Sequence, residues 1–190
     1  GGEIWSIDGE GGQAWAARAG GHLAVSRGRV YSYDRAGVHR LDLAQRTAAL
    51  WVPLPGGLPG HGDLVALPDG GLLVAHREAM TGSLVRLDGR GAVRWRRGYE
   101  GLLWGDQRLF RLGSEVYLVS AYHTTSESEM AVLYVDLEEA ALVRVFEGGS
   151  RVPTPADTWT AQAGEGRLLV GIGGTGMALH PIDGFSRQRP

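Results

Sequence analysis

The sequence predicts an all-β fold, a β-propeller built of four-stranded antiparallel blades, and three observations predict it. Apolar residues alternate over short runs broken by Gly, Pro and Asp, and helical periodicity is nowhere sustained. One phrase recurs: a short apolar strand, an Asp-containing turn, then a strand closing on a bulky aromatic. It runs from Leu41 to Trp51, from Leu87 to Trp95 and from Val135 to Phe146, with a headless copy ending at Trp5. The closing aromatics Trp5, Trp51, Trp95 and Phe146 stand 46, 44 and 51 residues apart, which is the spacing of propeller blades.

The elements follow in order. In the first full unit strands are expected near 22–26, 29–33, 37–43 and 48–52, and in the second near 63–67, 71–76, 82–88 and 92–97. The third gives 107–112, 115–121, 130–137 and 141–147, and the fourth 158–163, 167–172 and 175–182 without a clear outer strand. A single domain over 1–190 therefore carries blades at about 20–52, 62–97, 106–147 and 157–183. Pairing of 2–7 with 175–182 would close a four-bladed ring and remove an unpaired sheet edge. The alternatives are a part of a six- to eight-bladed propeller and a β-sandwich.

Composition narrows the class. A chain of 190 residues is long enough to bury a real core, and 43% apolar against 21% charged residues is globular despite 31 glycines. The net charge of -2 argues against a nucleic-acid surface, which needs a clustered basic excess. Arg94, Arg96 and Arg97 do cluster, and strand alternation places Arg94 and Arg96 on one face, as a charged strand edge. All 19 basic residues are Arg, and Lys, Asn and Cys are absent, which excludes disulfides, thiolate zinc sites and a Cys nucleophile. The lack of Asn and Cys is a tendency of thermophile proteins. No apolar stretch approaches the roughly 20 residues of a membrane span, so no membrane insertion is expected. The chain starts at Gly1 without a signal peptide, which fits a processed product whose export signal has been removed.

The repeat resembles the PQQ-like and WD40-like β-propeller repeat family, whose grammar runs from an apolar strand through Leu-Asp and a Thr-Gly turn to Trp. Leu87-Asp88-Gly89-Arg90-Gly91-Ala92-Val93-Arg94-Trp95 fits best; Leu41 to Trp51 keeps Thr47 but lacks the following Gly, and Phe146 takes the Trp place in the third unit. The resemblance covers most of the chain as blade grammar alone. It implies a scaffold of the kind found in outer-membrane assembly proteins of the BamB type, in a periplasmic or cell-envelope setting. Quinoprotein dehydrogenases share the repeat but are far larger, and their cofactor residues have no counterpart here.

A second recurrence offers candidate binding residues. Asp63, Asp106 and Asp157 stand at or just before the innermost strand of successive units, 43 and 51 residues apart, and Gly20-Gly21-His22 takes that place in the first unit. Converging on the axis with His22 or His61, three carboxylates are oxygen ligands suited to calcium or to a cationic ligand. The competing assignment is that each Asp caps its own turn. Trp15, Trp104 and Trp159 lie in the same loops, and aromatic faces beside polar groups suit a peptide side chain or a sugar, though such rings also fill the wedge between sheets. The loop 121–129 is expanded and holds His123; with His76 and Glu78 it makes a weak metal candidate. The glycine run 171–176 spells a dinucleotide motif but opens no helix and reads as a turn.

The function expected is a non-enzymatic binding or scaffold module recognising a protein or peptide on one face of the ring. Its anchors are Trp104 and Trp159, its polar contacts Asp63, Asp106, Asp157, His61 and His123, with no catalytic residue assigned and no cofactor beyond a calcium ion. The alternatives are a carbohydrate-binding or glycan-processing module, for which paired carboxylates would be needed, and a fragment of a larger propeller enzyme.

Overall fold

The computed structural model describes residues 2–7, 13–19, 22–57, 62–78, 81–99, 106–123, 128–150, 159–164 and 167–172, and side chains within 22–57, 62–78, 81–99, 107–120 and 131–144. The chain divides into two compact units, 1–101 and 102–190. Among the described residues the fold is all-β, with three four-stranded antiparallel sheets and no helix.

Unit 1 holds two of these sheets. The first runs in chain order through β3 (His22–Ser26), β4 (Arg29–Asp34), β5 (Gly37–Asp42) and β6 (Thr47–Pro53). The second runs likewise through β7 (Asp63–Ala66), β8 (Leu72–Arg77), β9 (Gly82–Leu87) and β10 (Val93–Tyr99). Ahead of them β1 (Gly2–Ile7) pairs with β2 (Gln13–Ala19). That second strand is an addition to the sequence reading, which left 13–19 unassigned. The 175–182 segment expected to pair with 2–7 lies outside the described residues.

Alternation decides how the two sheets pack. Ala24, Tyr31, Tyr33, Val38 and Val52 of the first sheet form one buried cluster with Leu64, Leu72, Val74, Val85 and Leu87 of the second. β8 goes further: all six of its residues are buried, so both of its faces are covered. That is why it reads as an unbroken apolar run, Leu72-Leu73-Val74-Ala75, where a half-exposed strand would alternate.

Unit 2 repeats the plan with β11 (Asp106–Leu112), β12 (Glu115–His123), β13 (Ser128–Asp136) and β14 (Ala141–Ser150) in one sheet, and β15 (Trp159–Gly164) paired with β16 (Arg167–Ile172). Val116, Tyr117, Leu118 and Val119 of β12 are all buried, the counterpart of β8.

The recurring phrase now has a physical meaning. Asp42 Oδ1 accepts the backbone N–H groups of Ala44 and Gln45, Asp88 Oδ1 those of Arg90 and Ala92, and Asp136 Oδ1 those of Glu138 and Glu139. Each carboxylate thus caps the hairpin between the third and fourth strands of its sheet. The residue before it is buried in every case, as Leu41, Leu87 and Val135. The outer strand then carries a bulge at or beside the repeat aromatic: Trp51, Arg94 and Val145 are the residues left without a partner. A bulge bends and twists its strand, which lets Trp51 turn onto Tyr31 with ring centroids 4.9 Å apart.

Two of these turns pass through the left-handed region without glycine, at Arg46 (φ 56) and Ala140 (φ 52), whereas the second uses Gly91 (φ 91). An L-residue there costs about 1–2 kcal/mol, and the flexibility glycine adds to the unfolded chain offsets about 0.4–1 of that. Arg46→Gly and Ala140→Gly are each expected to stabilise the protein by about 0.5–1 kcal/mol. Urea unfolding should show a higher midpoint at unchanged slope; a lowered midpoint would refute the strain assignment.

Candidate functional site

The two sheets of unit 1 meet with β3 and β7 running side by side. His22 Nδ1 lies 3.2 Å from Asp63 Oδ1 at one end, and Ser26 Oγ donates to the Gly70 carbonyl at 3.2 Å at the other. These contacts define a strand-start end and a hairpin-turn end of the unit.

At the strand-start end the structure joins two residues that the sequence placed at equivalent positions. Asp63 is the first residue of β7 and His22 the first of β3; the Asp63 carboxylate also accepts the N–H of Leu64 at 2.8 Å. One aspartate therefore caps its own strand and ties it to the neighbouring sheet. Asp106 likewise opens β11, opposite Ala121, Trp159 opens β15, opposite Ile172, and His123 ends β12, opposite Ser128. His61, Trp104 and Asp157 lie outside the described residues. Among the described residues no three His, Asp or Glu side chains gather as a metal site would require.

Beside the Asp63 pair lies a polar chain that the sequence reading reached only in part. It had His76 and Glu78 together; it missed Tyr33 and Arg96. Tyr33 Oη is 2.7 Å from His76 Nδ1, His76 Nε2 is 3.4 Å from Glu78 Oε1, and Glu78 in turn bonds Arg96, whose Nε donates to Ser83 Oγ at 3.1 Å. Burial pushes the Tyr33 hydroxyl up to about 12, helped by the charges of Asp34 and Glu78. Tyr33 is therefore neutral; it accepts the Arg77 backbone N–H and shares a short hydrogen bond with His76 Nδ1. The Pro55 carbonyl and Glu78 are further hydrogen-bond partners of the imidazole and favour its charged form. Burial, with the Arg96 charge, lowers the His76 pKa against the opposing pull of Glu78. Gly62 (φ 99) closes over this pair: a Cβ there would meet the Ala75 carbonyl and come within 2.8 Å of the Tyr33 ring.

The hairpin-turn end is built differently. A broad pocket of about 710 Å³ opens there, lined by Arg27, Arg86, Arg90 and Arg94 with Asp69 and Asp88, over Gly89. Arg86 Nη2 bonds Asp69 Oδ2 at 2.9 Å, and Arg94 Nη2 lies 3.4 Å from Asp88 Oδ2. Burial alone would raise the Asp69 carboxyl, but the Arg86 bond and the Gly71 N–H together hold it below the usual range. Arg27 and Gly28 form a two-residue hairpin loop with φ of 49 and 73, and Arg27 lies across Gly70, whose absent side chain leaves it room. The sequence reading missed this pocket. Its one signal was Arg94, which was grouped with Arg96 on one face; the bulge at Arg94 separates them, so Arg94 serves Asp88 and Arg96 serves Glu78.

No family model matches the chain, and no curated protein matches it. Among solved structures, a crystal structure of a protein from Lactobacillus plantarum is similar at 15% identity and a TM-score of 0.35, over 85% of this chain and 69% of that one.

The two shifted groups of the polar chain, Tyr33 and His76, link folding to pH. His76 resists protonation when folded, so its contribution is complete above pH 6.5 and falls as the unfolded chain gains a proton below that value. Tyr33 holds its proton when folded, so its contribution is complete below pH 10 and is lost as pH rises toward about 12. Tyr33→Phe leaves His76 Nδ1 buried and unpaired, an expected cost of about 1–3 kcal/mol at pH 7. Denaturation midpoints measured from pH 5 to 11 should fall off less steeply above pH 10 in the variant; parallel curves would contradict the hydrogen-bond assignment.

Proposed function

We propose that this chain is a non-enzymatic recognition module of the β-propeller type that binds a segment of a partner protein. The observation carrying this reading is the arginine pocket at the hairpin-turn end of unit 1. Its lining side chains stand on three tight turns and two strands of sheets with a shared core, two of the turns capped by Asp69 and Asp88, so the backbone beneath the surface is fixed before binding. The propeller assignment is supported by the chain-order meander of each four-stranded sheet, by the burial of both faces of β8 and by the threefold recurrence of Asp cap and bulge. The polar residues of the strand-start end are engaged with one another across the two sheets, which suits them to holding the scaffold. The cell-envelope setting rests on the repeat resemblance.

The test compares partner capture by three forms of the protein under identical conditions. Proteins cross-linked to the wild type are expected to be lost from Arg27→Asn/Arg90→Gln and retained by Glu78→Gln, which alters the opposite end. Capture that survives the double variant would overturn the pocket as the recognition site.

A further inference from the structure

The charges within the pocket are unequal, and so are their engagements. Arg86 and Arg94 are held by Asp69 and Asp88. Among the described residues Arg27 and Arg90 form no ion pair, and both are exposed. Four arginines against two aspartates leave a formal excess of two positive charges, carried in effect by these two guanidiniums. They arrive from different sheets, Arg27 from the β3–β4 loop and Arg90 from the β9–β10 turn.

The lining is arginine, aspartate and glycine throughout, with no apolar side chain. It therefore lacks the hydrophobic walls on which most small-molecule sites depend. What it offers is planar forks of N–H donors, which suit an oxyanion. A carboxylate would neutralise one of the two free charges. A phosphate monoester carries about -1.5 to -2 at pH 7 and has three acceptor oxygens, enough for forks arriving from two sides. The volume of about 710 Å³ exceeds what a bare phosphate fills, leaving space for the residues around a modified side chain.

We propose that the pocket takes the phosphate of a phosphorylated side chain on the partner, held between Arg27 and Arg90; this rests on the reading of the pocket as the recognition site. Asp69 and Asp88 do not repel the phosphate because Arg86 and Arg94 offset them. They also leave Arg27 and Arg90 free for the ligand.

The experiment titrates the protein with a dye-labelled Gly-Ala peptide carrying one phosphoserine, and with the same peptide carrying Ser or Glu instead, at fixed ionic strength. The phosphate brings a third acceptor oxygen and a larger charge than a carboxylate, so the phosphoserine peptide should bind at least about tenfold tighter than the Glu peptide. Inorganic phosphate should compete with it. Arg27→Asn keeps a residue that tolerates positive φ and so preserves the loop; it and Arg90→Gln should each weaken phosphopeptide binding at least about tenfold. Arg90→Gln should keep the wild-type thermal midpoint, Arg27→Asn should match or exceed it because Asn tolerates the positive φ, and Glu78→Gln should bind as the wild type does. Equal affinity for the phosphoserine and Glu peptides, or wild-type affinity in either arginine variant, overturns the phosphate assignment. If that happens while partner capture still depends on Arg27 and Arg90, the recognition reading survives without it. Loss of both dependences removes the two together.

Discussion

The hairpin-turn end of unit 1 depends on a division of labour within single carboxylates. Asp69 uses Oδ1 to accept the Gly71 N–H that closes the β7–β8 turn and Oδ2 to hold Arg86. Asp88 uses Oδ1 for the N–H groups of Arg90 and Ala92 and Oδ2 for Arg94. One oxygen fixes the backbone and the other fixes a neighbouring cation. Replacing either aspartate by Ala would therefore loosen a turn and release an arginine together, whereas Asn keeps the oxygen that caps the turn and gives up the one that holds the arginine. At the other end Asp63 meets both demands with one oxygen, Oδ1, which accepts the Leu64 N–H and faces His22 Nδ1.

Exposed ion pairs contribute little to stability, typically about 0–1 kcal/mol. Arg86–Asp69 and Arg94–Asp88 are of this kind, with Asp69 about half exposed and Arg94 more so. The fold does not rest on them. It rests on the cluster in which Tyr31, Val38, Leu72, Val74 and Leu87 are nearly sealed from water, and on the capped turns that set the register around it. The ion pairs matter instead for what they leave over, a pocket whose remaining charge is carried by two arginines from different sheets.

Much of the fold was legible because its signals are local. An Asp turn, an alternating strand and a closing aromatic each occupy fewer than a dozen residues, and the strands of β3 through β14 emerge from them within a few positions. β2 escaped because Gln13-Ala14-Trp15-Ala16-Ala17-Arg18-Ala19 is rich in alanine, a weak strand former, and its apolar residues do not alternate with polar ones. The site was less legible for a different reason. Its charges lie at 27, 69, 86, 88, 90 and 94, drawn from three turns and two strands of two sheets, in a chain whose net charge is -2. Only the stacking of the sheets concentrates them. Likewise, Tyr33 meets His76 across 43 residues, a contact implied by no periodicity within either strand. The bulge at Arg94 also defeats alternation where the reading relied on it.

Arg27 sits in the left-handed region, where Asn or Gly would be cheaper, and strained backbone tends to gather where a side chain is used. Arg46 and Ala140 share the conformation without lining the pocket. What separates Arg27 is its surroundings. Gly70 beneath it has a positive φ of its own and no side chain, so the guanidinium lies on bare backbone within the field of Asp69. A side chain at Gly70 would displace Arg27, and any L-residue there would strain the turn that Asp69 caps. Two uncommon backbone conformations in neighbouring turns thus serve one arginine, which is a stronger constraint than the strain at either residue taken singly.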